Sequence, residues 1–123
     1  MSLTIALNPV PASRPRVTKW GVHYQKTYAT WKKQALHHLP HGGPIFGDKH
    51  VAVLVEHIIK KPKTTKRTNP RGDTDNYLKA SLDACTKCKG VWTDDDIVVL
   101  TIASKRFTEG DEEPRTEILI IEL

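Results

Sequence analysis

The sequence predicts a single α/β domain, 1–123, in the order β-α-β-α-β-β, with a mixed four-stranded sheet and helices packed mainly on one face. Three observations predict it. The chain has 123 residues, enough for one domain with an ordinary core. The run Val51–Ile59 (VAVLVEHII) is apolar on both faces for most of its length, which suits a strand in the middle of a sheet. Two further segments repeat apolar residues at helical spacing, and both ends of the chain read as strands.

Residues 2–8 alternate Leu3, Ile5 and Leu7 with Ser2, Thr4 and Ala6, the period of a half-buried strand that Pro9 and Pro11 end. Residues 12–22 read as a basic loop carrying Arg14, Pro15, Arg16, Lys19, Trp20 and Gly21. Across 24–39, Tyr24, Tyr28, Trp31, Ala35 and Leu39 recur at helical spacing, with Lys26, Lys32 and Lys33 off the stripe. Those aromatics are expected to pack against the sheet rather than stack on bases. Pro40, Gly42, Gly43 and Pro44 stop the helix. His37, His38 and His41 cluster at its end, where their charge suits the helix dipole, so capping rather than catalysis is expected.

The strand Val51–Ile59 runs into residues 60–71, KKPKTTKRTNPR, whose Lys63, Lys66, Arg67 and Arg71 end directly at an acidic pair, Asp73 and Asp75. A helix is predicted over 75–89, with Leu78, Leu82 and Cys85 on its buried stripe and Gly90 at its end. Asp73 or Asp75 can cap its start, but one helix start does not need both. Asn76, Lys79 and Asp83 follow at spacings of three and four, on the face of the acidic N-terminus. Trp92 precedes a second acidic cluster, Asp94, Asp95 and Asp96. Strands are predicted over 97–107 and 115–123, joined by a polar turn at 108–114, and they are expected to pair as an antiparallel hairpin.

The charge balance gives these acids their interest. With 19 Lys+Arg against 14 Asp+Glu, the chain carries a formal +5 and a pI near 9.3, which favours a polyanionic partner. Carboxylates brought together raise one another's pKa unless a cation sits between them, so a divalent metal site is the first hypothesis. No apolar run approaches a membrane span, and the N-terminus lacks the features of a signal peptide, so no membrane role and a cytoplasmic setting are expected. Cys85 and Cys88 form a lone C-x-x-C. No second ligand pair completes a zinc site and no thioredoxin-like context supports a redox pair, which leaves two reduced thiols on a helix.

Phosphodiester hydrolysis needs an activated water, neutralised phosphoryl oxygens and a stabilised leaving group. Carboxylate-bound Mg²⁺ or Mn²⁺ can supply these, with a nearby lysine assisting. By physics alone, D-x-D pairs and DDD runs also serve as caps, turns and calcium loops. A DNA-binding module whose acids only cap helices is the rival from another class.

The pattern D-x-D-N-x-x-K, then D-A, then W-x-D-D before a Val-rich strand comprises Asp73, Asp75, Asn76, Lys79, Asp83, Ala84, Trp92, Asp94 and Asp95. It resembles the RusA family of Holliday junction resolvases, as does the P-x-S-R-P-R segment from Pro11 to Arg16. The resemblance covers nearly the whole chain in length and element order. It implies a homodimeric, Mg²⁺-dependent endonuclease, with Mn²⁺ also supporting activity, that resolves four-way DNA junctions by paired nicks. It puts the catalytic, metal-binding aspartates at Asp73, Asp75 and Asp95 and the assisting lysine at Lys79. A third acid, Asp96, departs from the pattern and leaves the assignment within the triplet open, with Asp94 as a cap or a supporting acid. The basic residues Arg14, Arg16 and Lys19, and Lys63, Lys66, Arg67 and Arg71, would then track phosphates. A junction's approximate two-fold symmetry suits a C₂ dimer with two active sites. A nuclease of the same chemistry acting on flaps or other branches is the rival within this class.

Overall fold

A computed structural model describes the backbone of residues 1–13, 16–18, 21–23 and 26–123, and the side chains of 1–13 and 26–123. In chain order the elements are β1 (Ser2–Ile5), β2 (Arg16–Thr18), β3 (Gly21–His23), α1 (Lys26–Ala35), a 3₁₀ turn (Leu36–His38), β4 (Val51–Ile59), α2 (Thr74–Lys87), a second 3₁₀ turn (Asp95–Ile97), β5 (Val98–Phe107) and β6 (Arg115–Glu122). The main sheet has four strands in the order β1-β6-β4-β5, mixed as expected, and β2 and β3 form a separate antiparallel pair.

Strand β4 is central because it is buried along almost its whole length. Parallel strands need a crossover, and α2 is the crossover that lays β5 parallel to β4. The other edge of β4 takes β6, antiparallel, which in turn takes β1. Val51, Val53 and Val55, with Ile118, Ile120 and Ile5, form the sheet side of the core. Tyr28, Trp31 and Ala35 of α1, Ala80, Ala84 and Cys85 of α2, and Val91 and Trp92 cover it. The aromatics of α1 therefore pack rather than stack on bases, and Tyr24 lies outside the described residues.

Three expectations are corrected. The last two strands do not form a hairpin: β5 and β6 flank β4 on opposite sides. The turn at 108–114 looks local, but β4 needs a partner at each edge, so the chain crosses the end of β4. There the Thr108 amide donates to the Ile59 carbonyl at 2.9 Å. Residues 12–22 are not all loop, since they include β2 and begin β3. The inner face of α2 is rotated from the expected stripe: Tyr77, Ala80, Ser81, Ala84 and Cys85 are buried, while Leu78 and Leu82 are partly buried. Small side chains there let the helix approach the sheet closely.

The end of α2 departs from the simplest expectation too. Lys89, not Gly90, takes the left-handed conformation, with φ of 62°. Gly90 is required for closeness instead, because a Cβ there would lie 2.0 Å from the Pro40 carbonyl oxygen. Cys85 and Cys88 are free and buried, and burial pushes the Cys85 thiol up to about 12, so it is an inert core group. Of the three histidines near the end of α1, His41 meets a carbonyl, its Nε2 lying 2.7 Å from the Leu36 oxygen. His37 and His38 are exposed.

Candidate active site

The two acidic clusters sit at the two ends of the crossover. Asp73 occupies the N-cap position of α2 in extended conformation, yet its side chain makes no capping hydrogen bond. Its carbonyl receives the Asn76 and Tyr77 amides at 3.0 and 3.3 Å. Asp75 lies in the first turn, and both carboxylates are exposed. Capping therefore accounts for neither side chain. The Ala12 amide donates to the Asn76 carbonyl at 2.9 Å, so the segment leading to the basic stretch 14–19 starts beside this acidic turn.

The second cluster follows Trp92, which is fully buried and donates from Nε1 to the Thr86 hydroxyl at 2.8 Å. That bond ties the chain to the last turns of α2 just before the acids. Asp94 caps the 3₁₀ turn, its Oδ1 accepting the Asp96 amide at 3.1 Å. Asp95 is thereby turned toward α2. Burial raises its pKa, the charges of Asp94, Asp83 and Asp96 raise it further, and Lys79 opposes the shift. Lys79 pairs with Asp83 at 3.8 Å, and Asp83 also accepts the Tyr28 hydroxyl at 2.8 Å. Asp95 thus lies in the electrostatic reach of Lys79 and Asp83, which share one flank of α2.

The acids with the largest effect on Asp95 are Asp94, Asp83 and Asp96, none of them from the start of the helix. Among the described residues, no three His, Cys, Asp or Glu side chains are gathered into a ready-made cation site. The donor chemistry nonetheless fits a divalent cation. These are hard oxygen ligands, and a carboxyl whose ionisation is opposed by its acidic neighbours gains from a positive charge.

The acidic turn is held from beneath. Lys105, pointing inward from β5, donates from Nζ to the Pro70 carbonyl at 2.8 Å and to the Gly72 carbonyl. The Tyr77 hydroxyl donates to the Arg71 carbonyl between them at 3.0 Å. Tyr77 in turn packs on His57, ring centroids 5.6 Å apart. His57 is fully buried, with Nδ1 2.9 Å from the Ser104 carbonyl and Nε2 3.0 Å from the Ser81 hydroxyl. The carbonyl can only accept, so Nδ1 carries the proton and Ser81 donates to Nε2; burial lowers the pKa and keeps the ring neutral. A polar seam through β4, α2 and β5 therefore fixes the backbone immediately before Asp73.

Sequence reasoning placed Tyr28 on the packing stripe but missed its bond to Asp83, and it missed the roles of Tyr77, His57 and Lys105. A lysine at an inward-facing strand position was the one readable signal, since such an ammonium requires acceptors.

Of the expected phosphate-contacting residues, Lys63, Lys66, Arg67 and Arg71 are exposed. Arg67 is folded onto Asn69, its Nε 3.1 Å from the Asn69 carbonyl. Lys60, Lys61 and Lys63 share a shallow groove with Asp111, Glu112 and Glu113. Arg14 and Lys19, and the side chain of Arg16, lie outside the described residues.

Residues 6–121 match the family described as Endodeoxyribonuclease RusA. No curated protein matches the chain.

Two outcomes are expected of this geometry. Lys105→Met removes both carbonyl bonds at once; it should cost about 1–3 kcal/mol in denaturant titration and speed amide exchange most in residues 70–77. Asp95→Asn should raise the melting temperature of the metal-free chain at neutral pH. Because folding raises the Asp95 pKa, its ionisation opposes the fold, and the gain over wild type should appear as pH rises through the carboxylate range.

Proposed function

The chain belongs to the RusA family of endodeoxyribonucleases, and we propose that it is a metal-dependent nuclease that resolves four-way DNA junctions by paired nicks. The observation that carries this reading is the convergence of the charges of Asp94, Asp83, Asp96 and Lys79 on Asp95, in a chain of net charge +5. A purely structural role leaves that concentration of charge without a purpose.

Asp73, Asp75 and Asp95 hold Mg²⁺, or Mn²⁺ in its place, and collecting all three carboxylates on one ion requires side-chain rearrangement. The bound ion supplies water activation and charge neutralisation at the scissile phosphodiester. Lys79, released from Asp83, offers its ammonium to the phosphoryl oxygens as negative charge develops. Asp83 is the positioning acid, holding Lys79 until substrate arrives and being itself held by Tyr28. The seam under residues 70–72 keeps Asp73 and Asp75 at the mouth of the basic loop. Arg14, Arg16 and Lys19, with Lys63, Lys66, Arg67 and Arg71, neutralise backbone phosphates and select branched DNA by shape rather than by base. Paired nicks require two such sites, and a homodimer supplies them.

The test is cleavage of a synthetic four-way junction by the purified chain, beside three-way, flap and linear substrates, with and without Mg²⁺. Symmetric nicks in the four-way junction alone, dependent on metal, are expected. Asp75→Asn should reduce cleavage to background while junction binding survives, and Lys79→Ala should lose about ten- to a hundredfold in rate. Retained nicking by Asp75→Asn would remove the assignment, and equal cutting of flaps would make the protein a general branch nuclease.

A further inference from the structure

The stretch just before Asp73 is fastened more closely than a connecting loop requires. Three consecutive carbonyls, those of Pro70, Arg71 and Gly72, accept bonds from side chains of β5 and α2. Lys105 takes the first and third, and the Tyr77 hydroxyl takes the second. Pro70 is fully buried. Gly72 has a φ of 90°, and a Cβ there would lie 3.2 Å from the Tyr77 ring, so a side chain would be strained and would push on that ring. Register sets Lys105 beside His57 on β4, and among the described residues no carboxylate pairs with its ammonium. The charge is committed to the backbone instead. An ammonium has three donors around one point, so it can draw two carbonyls together, and each charge-assisted bond is stronger than a neutral one. The Asp73 carboxylate has no such anchor. It makes no capping bond and is exposed, so its place is set by the backbone that leads into it.

We propose that Lys105 is a positioning residue for the cation site. Acting through the Pro70 and Gly72 carbonyls, it holds the turn so that Asp73 and Asp75 meet a divalent cation together. The proposal rests on the metal-dependent reading above and adds to it a residue from another strand, outside the acidic motif. Lys105 acts without touching the cation. Two carboxylates free to swing apart must be ordered when the ion arrives, and that ordering subtracts from affinity. A backbone fixed beforehand removes much of the cost, as groups that orient metal ligands do elsewhere. Tyr77 serves the middle carbonyl in the same way from the helix side.

The experiment is a Mn²⁺ titration of the full chain without DNA, read as paramagnetic broadening of the amides of 73–75 in its NMR spectrum. It is run at a temperature where every variant is folded by circular dichroism. Lys105→Met should raise the Mn²⁺ concentration for half-broadening about ten- to a hundredfold. Lys105→Arg, which keeps a charged donor able to reach two carbonyls, should recover most of that loss. In cleavage, the Lys105→Met chain should need correspondingly more Mg²⁺ to reach half its maximal rate, while its junction affinity without metal stays unchanged. If Lys105→Met fails to fold, Tyr77→Phe, which removes only the Arg71 bond, carries the same test with a smaller shift in the same direction. Unchanged half-broadening in the folded variants makes Lys105 a residue of stability alone; it overturns the proposal and leaves the nuclease reading standing. Absence of broadening at 73–75 in the wild-type chain overturns the proposal together with the assignment of Asp73 and Asp75 as metal ligands.

Discussion

The parallel pairing of β4 with β5 is the constraint on which the rest depends. Parallel neighbours cannot be joined by a tight turn, so the chain must cross over the sheet, and α2 makes the crossing. Its two ends are consequently loops, one carrying the basic stretch into Asp73 and Asp75, the other carrying Trp92 into Asp94–Asp96. Strand β5 returns alongside β4 and brings Lys105 up beneath Pro70 and Gly72. Small residues on the inner side of α2 hold the helix against the sheet, and its outer side is left to Asp75, Lys79 and Asp83.

The acidic flank is a local opposition to stability that the surrounding contacts sustain. Asp95 is pushed toward protonation by burial and by its acidic neighbours, while Lys79 gives partial relief. Tyr28 holds Asp83 from α1, and the Trp92–Thr86 bond keeps the loop from swinging away. A nuclease site has reason to tolerate this. Carboxylates that repel one another in the free chain are the ones that gain most from a divalent cation.

Much of this was legible in the sequence because it depends on local pattern. The two-sided apolarity of Val51–Ile59 identified the central strand, the aromatic stripe of α1 identified its buried face, and the acids were visible as a motif. What could not be read depends on pairing across the fold. The segments β5 and β6 look like a hairpin because a polar turn joins them, but the empty edge of β4 decides their partners. Lys105 and Tyr77 reach carbonyls distant in sequence, so no spacing announces them.

The claim on which the functional account stands is that Asp73, Asp75 and Asp95 take up one cation beside bound DNA. Paramagnetic broadening by Mn²⁺ in the NMR spectrum of the chain bound to a four-way junction tests it most directly. Broadening of the amides around both 73–75 and 94–96 at the same low Mn²⁺ concentration, reversed by excess Mg²⁺, is the predicted result. Broadening confined to one of the two segments, or absent from both, would contradict it.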